Sequence, residues 1–272
     1  MFSFFSSEFF VIFGLGLLGA VAILPYSFAL AGDKLSQVKL SRPVLALISF
    51  VQTALLIALA TGIGLLAAKP VGLSAPYIQA ILTGEPVLDP LLRILPPALA
   101  LAVLAFVLMA LLERYVFATY VPEALGKSDA NMPVWKRLLA SFYGGFDEEI
   151  LMRLFLVSGL VWILGRFWQN ASGMPANGAY WTAILLATLL FGLGHLPATR
   201  NITPLTPILI VRAITLNGVA GIAFGWLYWQ YGLEAAMLSH FCADILLHGL
   251  GPIFVSHIYS NAKNMGAQSD TK

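Results

Sequence analysis

Charged residues are scarce in this sequence. Only 10% of its 272 residues are Asp, Glu, Lys or Arg, and 59% are apolar, whereas an ordinary soluble domain carries about 25% charge. This composition excludes a soluble globular domain and indicates an integral membrane protein with several spans. The formal net charge of +2 gives no sign of a nucleic-acid partner, so the lipid bilayer is the expected environment and nucleic acid is not an expected partner.

Other absences narrow the fold and the chemistry. Cys242 is the only cysteine, which excludes an intrachain disulfide, and it has no basic neighbour that would activate it as a nucleophile. The sequence has no GxSxG turn and no HExxH pattern. No segment alternates with period two, which argues against a membrane β-barrel. The fold is therefore expected to be helical, and nucleophilic catalysis is the weaker possibility.

Long apolar runs are what the sequence does contain. A helix needs roughly 20 apolar residues to cross the hydrocarbon core of a bilayer. Seven runs are predicted to be spans: 8–31, 43–68, 91–112, 147–168, 179–197, 207–231 and 234–249. Residues 250–260 are expected to form an eighth half-span or an interfacial helix. The predicted fold class is an all-α, polytopic transmembrane helical bundle of about 7–8 helices.

The basic residues of the loops predict the orientation. They concentrate in the loops after the first, third and fifth spans, and the positive-inside rule assigns these loops to the cytoplasm. The N-terminus is then outside, and the cell membrane is the expected location. Residues 135–142 are predicted to form a short amphipathic helix that leads into the fourth span, with Lys136 and Arg137 on its wet face.

Ionisable residues inside the spans are the candidate functional residues, because such groups are costly in a membrane. Glu149 and Arg153 are four residues apart, in the favourable order for a helical ion pair. Glu148 is rotated by about 100° from Glu149 and is expected to face an interior cavity. The alternative is that the acids only complement the dipole of the helix N-terminus.

Two further spans carry histidine. His195 lies just before Pro197, so it is expected near the cytoplasmic end of the fifth span, at a depth similar to that of Glu148. His240 and Asp244 are four apart and share one face of the short seventh span. The alternative for this pair is a hydrogen bond that only holds helices together.

Three ionisable residues receive no functional role from the sequence. Arg212, in the sixth span, could snorkel or neutralise a carboxylate. His248 and His257 are expected at the interface.

These residues support two routes to amide hydrolysis. In one, a carboxylate and a histidine activate water as general base, while a second histidine and its neighbour stabilise the oxyanion. In the other, Glu148, His195 and His240 are the three ligands of a zinc ion with an open fourth position. The residues alone leave both routes open.

Three short motifs resemble those of one protein family. "EEILMR" (148–153) is similar to an EExxxR motif, "FGLGH" (191–195) to FxxxH, and "HFCAD" (240–244) to HxxxN/D. Together and in this order they resemble the CPBP or Abi family of intramembrane proteases, which includes the Rce1-like CAAX prenyl protease 2 enzymes. The resemblance covers about residues 133–250, which suggests N-terminal helices and a loop at 1–132, a catalytic core at 133–250, and a C-terminal segment at 251–272.

The resemblance implies an active site between the fourth, fifth and seventh spans that opens to the cytosol. Glu148 would activate water together with His195, and His240 with Asp244 would bind the oxyanion. The motif would be supported by Glu149, Arg153 and Phe191. Prenyl-protein-processing members typically carry Asn where this sequence has Asp244, which slightly favours a metal. Both a zinc-dependent and a metal-free, glutamate-dependent mechanism have been argued for the family.

The expected function is an intramembrane endopeptidase that acts on a peptide or a lipidated protein, near a prenylated or otherwise lipidated C-terminus. A non-catalytic family member in peptide immunity or scaffolding is an alternative. An ion-coupled transporter is a further alternative, but it would call for internal repeats, and the sequence shows none.

Overall fold

The fold is helical throughout. A computed structural model describes residues 6–122, 124–125 and 132–269, and the side chains of these residues except 33, 34, 36 and 252–269. Within the described residues there is no β-strand, which confirms the predicted fold class. The α-helices in chain order are α1 (Ser7–Ala22), α2 (Leu24–Ala31), α3 (Arg42–Ala68), α4 (Pro76–Thr83), α5 (Leu88–Leu112), α6 (Val134–Tyr143), α7 (Ser158–Leu164), α8 (Asn177–Gly194), α9 (Leu196–Ile202), α10 (Pro207–Tyr231) and α11 (Leu233–Ser269).

Five helical segments are long and apolar enough to cross a membrane. They are Ser7–Ala31, Arg42–Val71, Leu88–Phe117, Asn177–Ile202 and Pro207–Tyr231. These segments confirm the first, second, third, fifth and sixth predicted spans. The fourth and seventh predicted spans are also helical, but both carry ionisable residues inside their apolar runs.

The fourth span is longer than predicted. Helix α6, a π-helical segment at Gly144–Glu148, a second one at Ile150–Val157, and α7 follow one another without a break. We call residues 134–164 the motif helix. It begins at Val134 rather than Asp147, so the predicted amphipathic lead-in and the fourth span are one helix. Glu148 consequently lies several turns inside the helix and not at its start.

Arg137 was predicted on a wet face, and this prediction is wrong. Its side chain is only 4% exposed, because α6 packs against α1, α2 and α11. Lys136 is half-buried, with its Nζ atom 5.5 Å from the ring of Trp135. The charge pattern of a short segment did not reveal that other helices surround it.

Two span ends also differ from the prediction. The fifth span does not end at Pro197, since α9 continues the helical path to Ile202 after a break at His195. The backbone of α11 is helical to Ser269, so residues 250–260 continue the seventh span instead of forming a separate element. A short helix, α4, occupies the loop between the second and third spans.

Small residues allow the helices to pack closely. A Cβ atom built on Gly64 of α3 would lie 2.7 Å from the carbonyl oxygen of Leu154 in the motif helix. One built on Gly221 of α10 would lie 2.7 Å from Oγ1 of Thr188 in α8. Close backbone approach at small residues is the usual basis of helix association in membranes. It brings α3, α8 and α10 up against the motif helix and its neighbours.

Polar contacts fix the end of the bundle where α11 begins. The backbone N–H of Ile78, at the start of α4, donates to Oε1 of Glu234 at 2.7 Å. The hydroxyl of Tyr180 donates to the carbonyl oxygen of Val71 at 2.6 Å. The first of these contacts anchors the first turn of α11, and His240 follows about two turns later.

Candidate active site

The site forms where the motif helix widens into π-helix. Single-turn π segments are rare and often occur at functional sites, because they change which residues share a face. Here two π segments follow each other, Gly144–Glu148 and Ile150–Val157. Glu149 is fully buried, whereas the side chain of Glu148 is 23% exposed. The two adjacent glutamates therefore have different surroundings, as the sequence predicted.

Glu149 and Arg153 form a buried ion pair. The Nη1 atom of Arg153 lies 2.8 Å from Oε1 of Glu149, and both side chains are at most 2% exposed. The Nη2 atom of Arg153 donates to the carbonyl oxygen of Gly221 at 3.3 Å. The guanidinium lies over the rings of Phe191 and Phe224, at 5.3 and 5.5 Å from their centroids, a cation–π arrangement. The pair thus connects the motif helix to α8 and α10.

His240 is held between three carboxylates. Its Nδ1 donates to Oε1 of Glu149 at 2.6 Å. Its Nε2 faces Oε2 of Glu148 at 3.6 Å and Oδ1 of Asp244 at 3.7 Å, and its ring stacks on Phe224 at 4.7 Å. Distances of this size are too long for direct hydrogen bonds, and a water molecule commonly bridges such a gap. The Nε2 edge is therefore the side of the imidazole that faces Glu148 and Asp244.

His195 lies at the break between α8 and α9. Pro197 has no N–H group to continue the helical hydrogen bonds, and the N–H of His195 donates to the carbonyl oxygen of Gly192 at 3.3 Å. The carbonyl oxygen of Phe191 instead faces Nδ1 of His195 at 2.8 Å. Because a carbonyl oxygen only accepts, Nδ1 carries the proton and Nε2 keeps its lone pair. His195 can thus accept a proton or a hydrogen bond at Nε2.

Phe191 joins the three motifs. Its ring is edge-on to His195 at 4.7 Å and to His240 at 5.9 Å. Glu148 lies within electrostatic range of His195, His240 and Asp244. The expected proximity of the fourth, fifth and seventh spans is therefore found. The catalytic roles of these residues stay predictions.

A zinc site was predicted from Glu148, His195 and His240. Among the described residues, no group of three or more His, Cys, Asp or Glu side chains is arranged to hold a metal ion. The Nδ1 atom of His240 donates to Glu149, an arrangement that is common for histidines that bind metal through Nε2. Glu, His and His are ordinary zinc ligands, so the residue types fit a zinc ion, although their side chains are not gathered around one point in this arrangement. Zinc dependence stays a prediction.

Sequence reasoning missed Gly144 and Asp147. A Cβ atom built on Gly144 would overlap Oδ2 of Asp244 and lie 3.1 Å from Nε2 of His240. Asp147 is fully buried, and its Oδ2 occupies the space that a side chain on Gly19 of α1 would need. The available signal was the pair of glycines in "GGFDEE" (144–149), next to the acids.

The structure also accounts for Arg212. Its Nε and Nη2 atoms donate to the two carboxylate oxygens of Glu113 at 2.8 and 3.1 Å, so it neutralises a carboxylate, one of the two possibilities that the sequence left open. The ring of His248 lies 6.3 Å from that of Tyr26 on α2. The side chain of His257 lies outside the described part of the structure.

The comparison with protein families agrees with the three motifs. Residues 130–246 match the family model described as Type II CAAX prenyl endopeptidase Rce1-like. The matched segment contains every residue of the site described above. No significant match was found among curated proteins or solved structures. Residues 130–246 are therefore similar to an Rce1-like domain, and the long apolar helices indicate an integral multi-pass membrane protein.

Proposed function

We propose that the protein is an intramembrane endopeptidase in which Glu148 activates a water molecule. One observation carries the proposal. Oε2 of Glu148 faces Nε2 of His240 across 3.6 Å, while Glu149 holds the opposite nitrogen of the same imidazole at 2.6 Å. A carboxylate beside an oriented histidine is an arrangement that supports general acid–base catalysis.

The reaction needs only water and the residues of the site. Water binds between Glu148 and the Nε2 lone pair of His195. Glu148 removes one proton as the water oxygen attacks the carbonyl carbon of the scissile bond. The negative charge moves to the carbonyl oxygen, where doubly protonated His240, which donates from Nδ1 to Glu149, stabilises it with its Nε2 proton. Glu148 then transfers its proton to the leaving nitrogen, and the C–N bond breaks.

Three residues support this chemistry without taking part in it. Glu149 accepts the Nδ1 proton of His240, fixes the orientation of the ring and stabilises its positive charge, as the carboxylate of a serine-protease triad does for its histidine. Arg153 compensates the charge of Glu149 in a buried setting. Asp244, 3.7 Å from Nε2 of His240, faces the oxyanion side of that imidazole.

The substrate is proposed to be a peptide or a lipidated protein that is cut near a prenylated or lipidated C-terminus. The description of the matched family supports this class. The proposed location is the cell membrane, with the N-terminus outside and the site open to the cytoplasm. The distribution of basic loop residues supports this orientation. The division into 1–132, 133–250 and 251–272 stays a prediction.

The test is peptide cleavage by the purified protein in liposomes. The substrates are peptides with a farnesylated cysteine near the C-terminus and the same peptides without the lipid. Wild type should cleave at least the lipidated set, and Glu148→Ala should cleave neither. Glu113→Gln, a carboxylate change away from the site, is the matched control and should cleave like wild type.

Each outcome has a clear meaning. Equal cleavage by wild type and Glu148→Ala removes Glu148 from the mechanism. Binding of the peptides without cleavage by wild type favours a non-catalytic role. A chelator added to the same assay tests the metal: unchanged cleavage excludes an essential exchangeable metal, whereas loss that zinc restores shows that a metal-bound form with a different site arrangement is the active one.

A further inference from the structure

Gly144 lies against the two residues on the oxyanion side of the site. It opens the first π segment of the motif helix, four residues before Glu148. A Cβ atom built on it would overlap Oδ2 of Asp244 and lie 3.1 Å from Nε2 of His240. The backbone of the motif helix thus approaches α11 as closely as it can at the point where the reacting groups face each other.

The contact defines the position of the Asp244 carboxylate. Its Oδ1 atom faces Nε2 of His240 at 3.7 Å, and its Oδ2 atom occupies the volume that a side chain at position 144 would fill. A side chain there would have to displace Asp244, His240 or the whole of α11. Glycine is the residue that permits such an approach of backbone to functional groups.

The neighbouring glycine has a different contact. A Cβ atom built on Gly145 would meet Cβ of Phe241 at 2.8 Å and the carbonyl oxygen of Met237 at 3.2 Å. Gly145 therefore only allows the two helices to pack closely, because the atoms near its Cβ position are backbone and Cβ atoms of α11. Of the two consecutive glycines, only Gly144 contacts the ionisable groups of the site.

We propose that Gly144 is a positioning residue of the active site, which holds the carboxylate of Asp244 beside, and not in front of, Nε2 of His240. The proposal rests on the proposed function, since it gives this position its catalytic meaning. A methyl group at position 144 would push the carboxylate towards the space where the substrate carbonyl oxygen must approach Nε2.

The test is a double-mutant cycle of Gly144→Ala and Asp244→Ala. Two signals are measured in detergent micelles: the rate of peptide cleavage and the nitrogen-15 resonances of the His240 ring. Gly144→Ala alone should lower kcat by about 10²-fold, the cost of a small misplacement of a reacting group, and shift the His240 resonances. In the Asp244→Ala background the overlapping carboxylate is absent and only the 3.1 Å contact with Nε2 of His240 remains, so the same glycine change should alter both signals much less.

Two glycine variants act as controls. A Cβ atom on Gly159 of α7 would meet no atom within 4 Å, so Gly159→Ala should keep the wild-type rate and spectrum. Gly145→Ala should lower thermal stability in both backgrounds alike, because its clash does not involve Asp244.

Wild-type cleavage by Gly144→Ala, or equal effects of Gly144→Ala in the two backgrounds, would overturn the proposal. Failure of the proposed function itself looks different. If wild-type protein cleaves no peptide, the rate carries no information, but the His240 resonances still decide whether residue 144 acts through Asp244. A resonance shift that is clearly larger when Asp244 is present supports the positioning role, and shifts of equal size in the two backgrounds refute it.

Discussion

Among the described residues, two arginine–glutamate pairs lie within the helical bundle, and they have the same separation but differ in burial and in their further partners. Arg153 and Glu149 approach to 2.8 Å and are at most 2% exposed. Arg212 and Glu113 also approach to 2.8 Å, but their side chains are 23% and 14% exposed. The first pair contacts His240 through Glu149. The second joins α10 to the π-helical end of the third span.

The difference shows how a buried ion pair can serve a site. Removing the two charges from water costs several kcal/mol each. Full burial of an ion pair therefore does not show that the pair stabilises the fold. Glu149 has a second partner in His240, and Arg153 has two aromatic rings and a backbone carbonyl. The Glu113 pair has two parallel hydrogen bonds and remains partly exposed to solvent. We therefore expect the first pair to control activity and the second to contribute only to stability.

Arg153→Ala should have the largest effect. It leaves Glu149 as an uncompensated buried charge, which costs about 3–5 kcal/mol of folding stability, and it releases the carboxylate that orients His240. Thermal unfolding in detergent should show a lower midpoint, and cleavage should be lost. Arg212→Ala is the matched control at the second pair. If the two variants lose equal stability and activity, the comparison fails.

His195→Gln should remove activity with little loss of stability. The glutamine amide can donate the hydrogen bond to the carbonyl oxygen of Phe191 in place of the imidazole. It has no lone pair as basic as that of imidazole, so it is a poor acceptor for the water molecule. Cleavage should fall by about 10²–10⁴-fold, the usual worth of a general acid–base group, with an unchanged unfolding midpoint. Wild-type kcat in this variant would show that His195 only terminates α8.

Glu113→Gln should have the smallest effect. It weakens a partly exposed ion pair, and ion pairs that remain in contact with water contribute about 0–1 kcal/mol. We expect a slightly lower unfolding midpoint and wild-type cleavage. A large loss of activity would mean that the second pair also controls the site, and the distinction between the two regions would then be wrong.

Much of the fold could be predicted from hydropathy alone. The sixth span was predicted at 207–231, and α10 occupies Pro207–Tyr231, because a long apolar run with a proline near its start and a glycine after its end has few alternatives. The start of the motif helix was missed. Residues 134–146 are polar enough to look interfacial, and only packing against α1, α2 and α11 buries Arg137.

The site was predictable in its members but not in its contacts. Spacing placed Glu149 with Arg153, and His240 with Asp244, on shared helical faces. No local pattern indicates that Glu149 also binds His240, since these residues are 91 positions apart. The π-helical segments and the approach of Gly144 to Asp244 depend on tertiary packing. The periodic pattern of a single sequence does not reveal such packing.

Cleavage by Glu148→Gln in oxygen-18 water tests the central claim most directly. Glutamine keeps the size of the side chain and removes its basicity. Wild type should place one oxygen-18 atom in the new carboxylate of the product. Glu148→Gln should unfold at the wild-type midpoint and cleave about 10²–10⁴-fold more slowly. Cleavage by this variant at the wild-type rate would contradict the account.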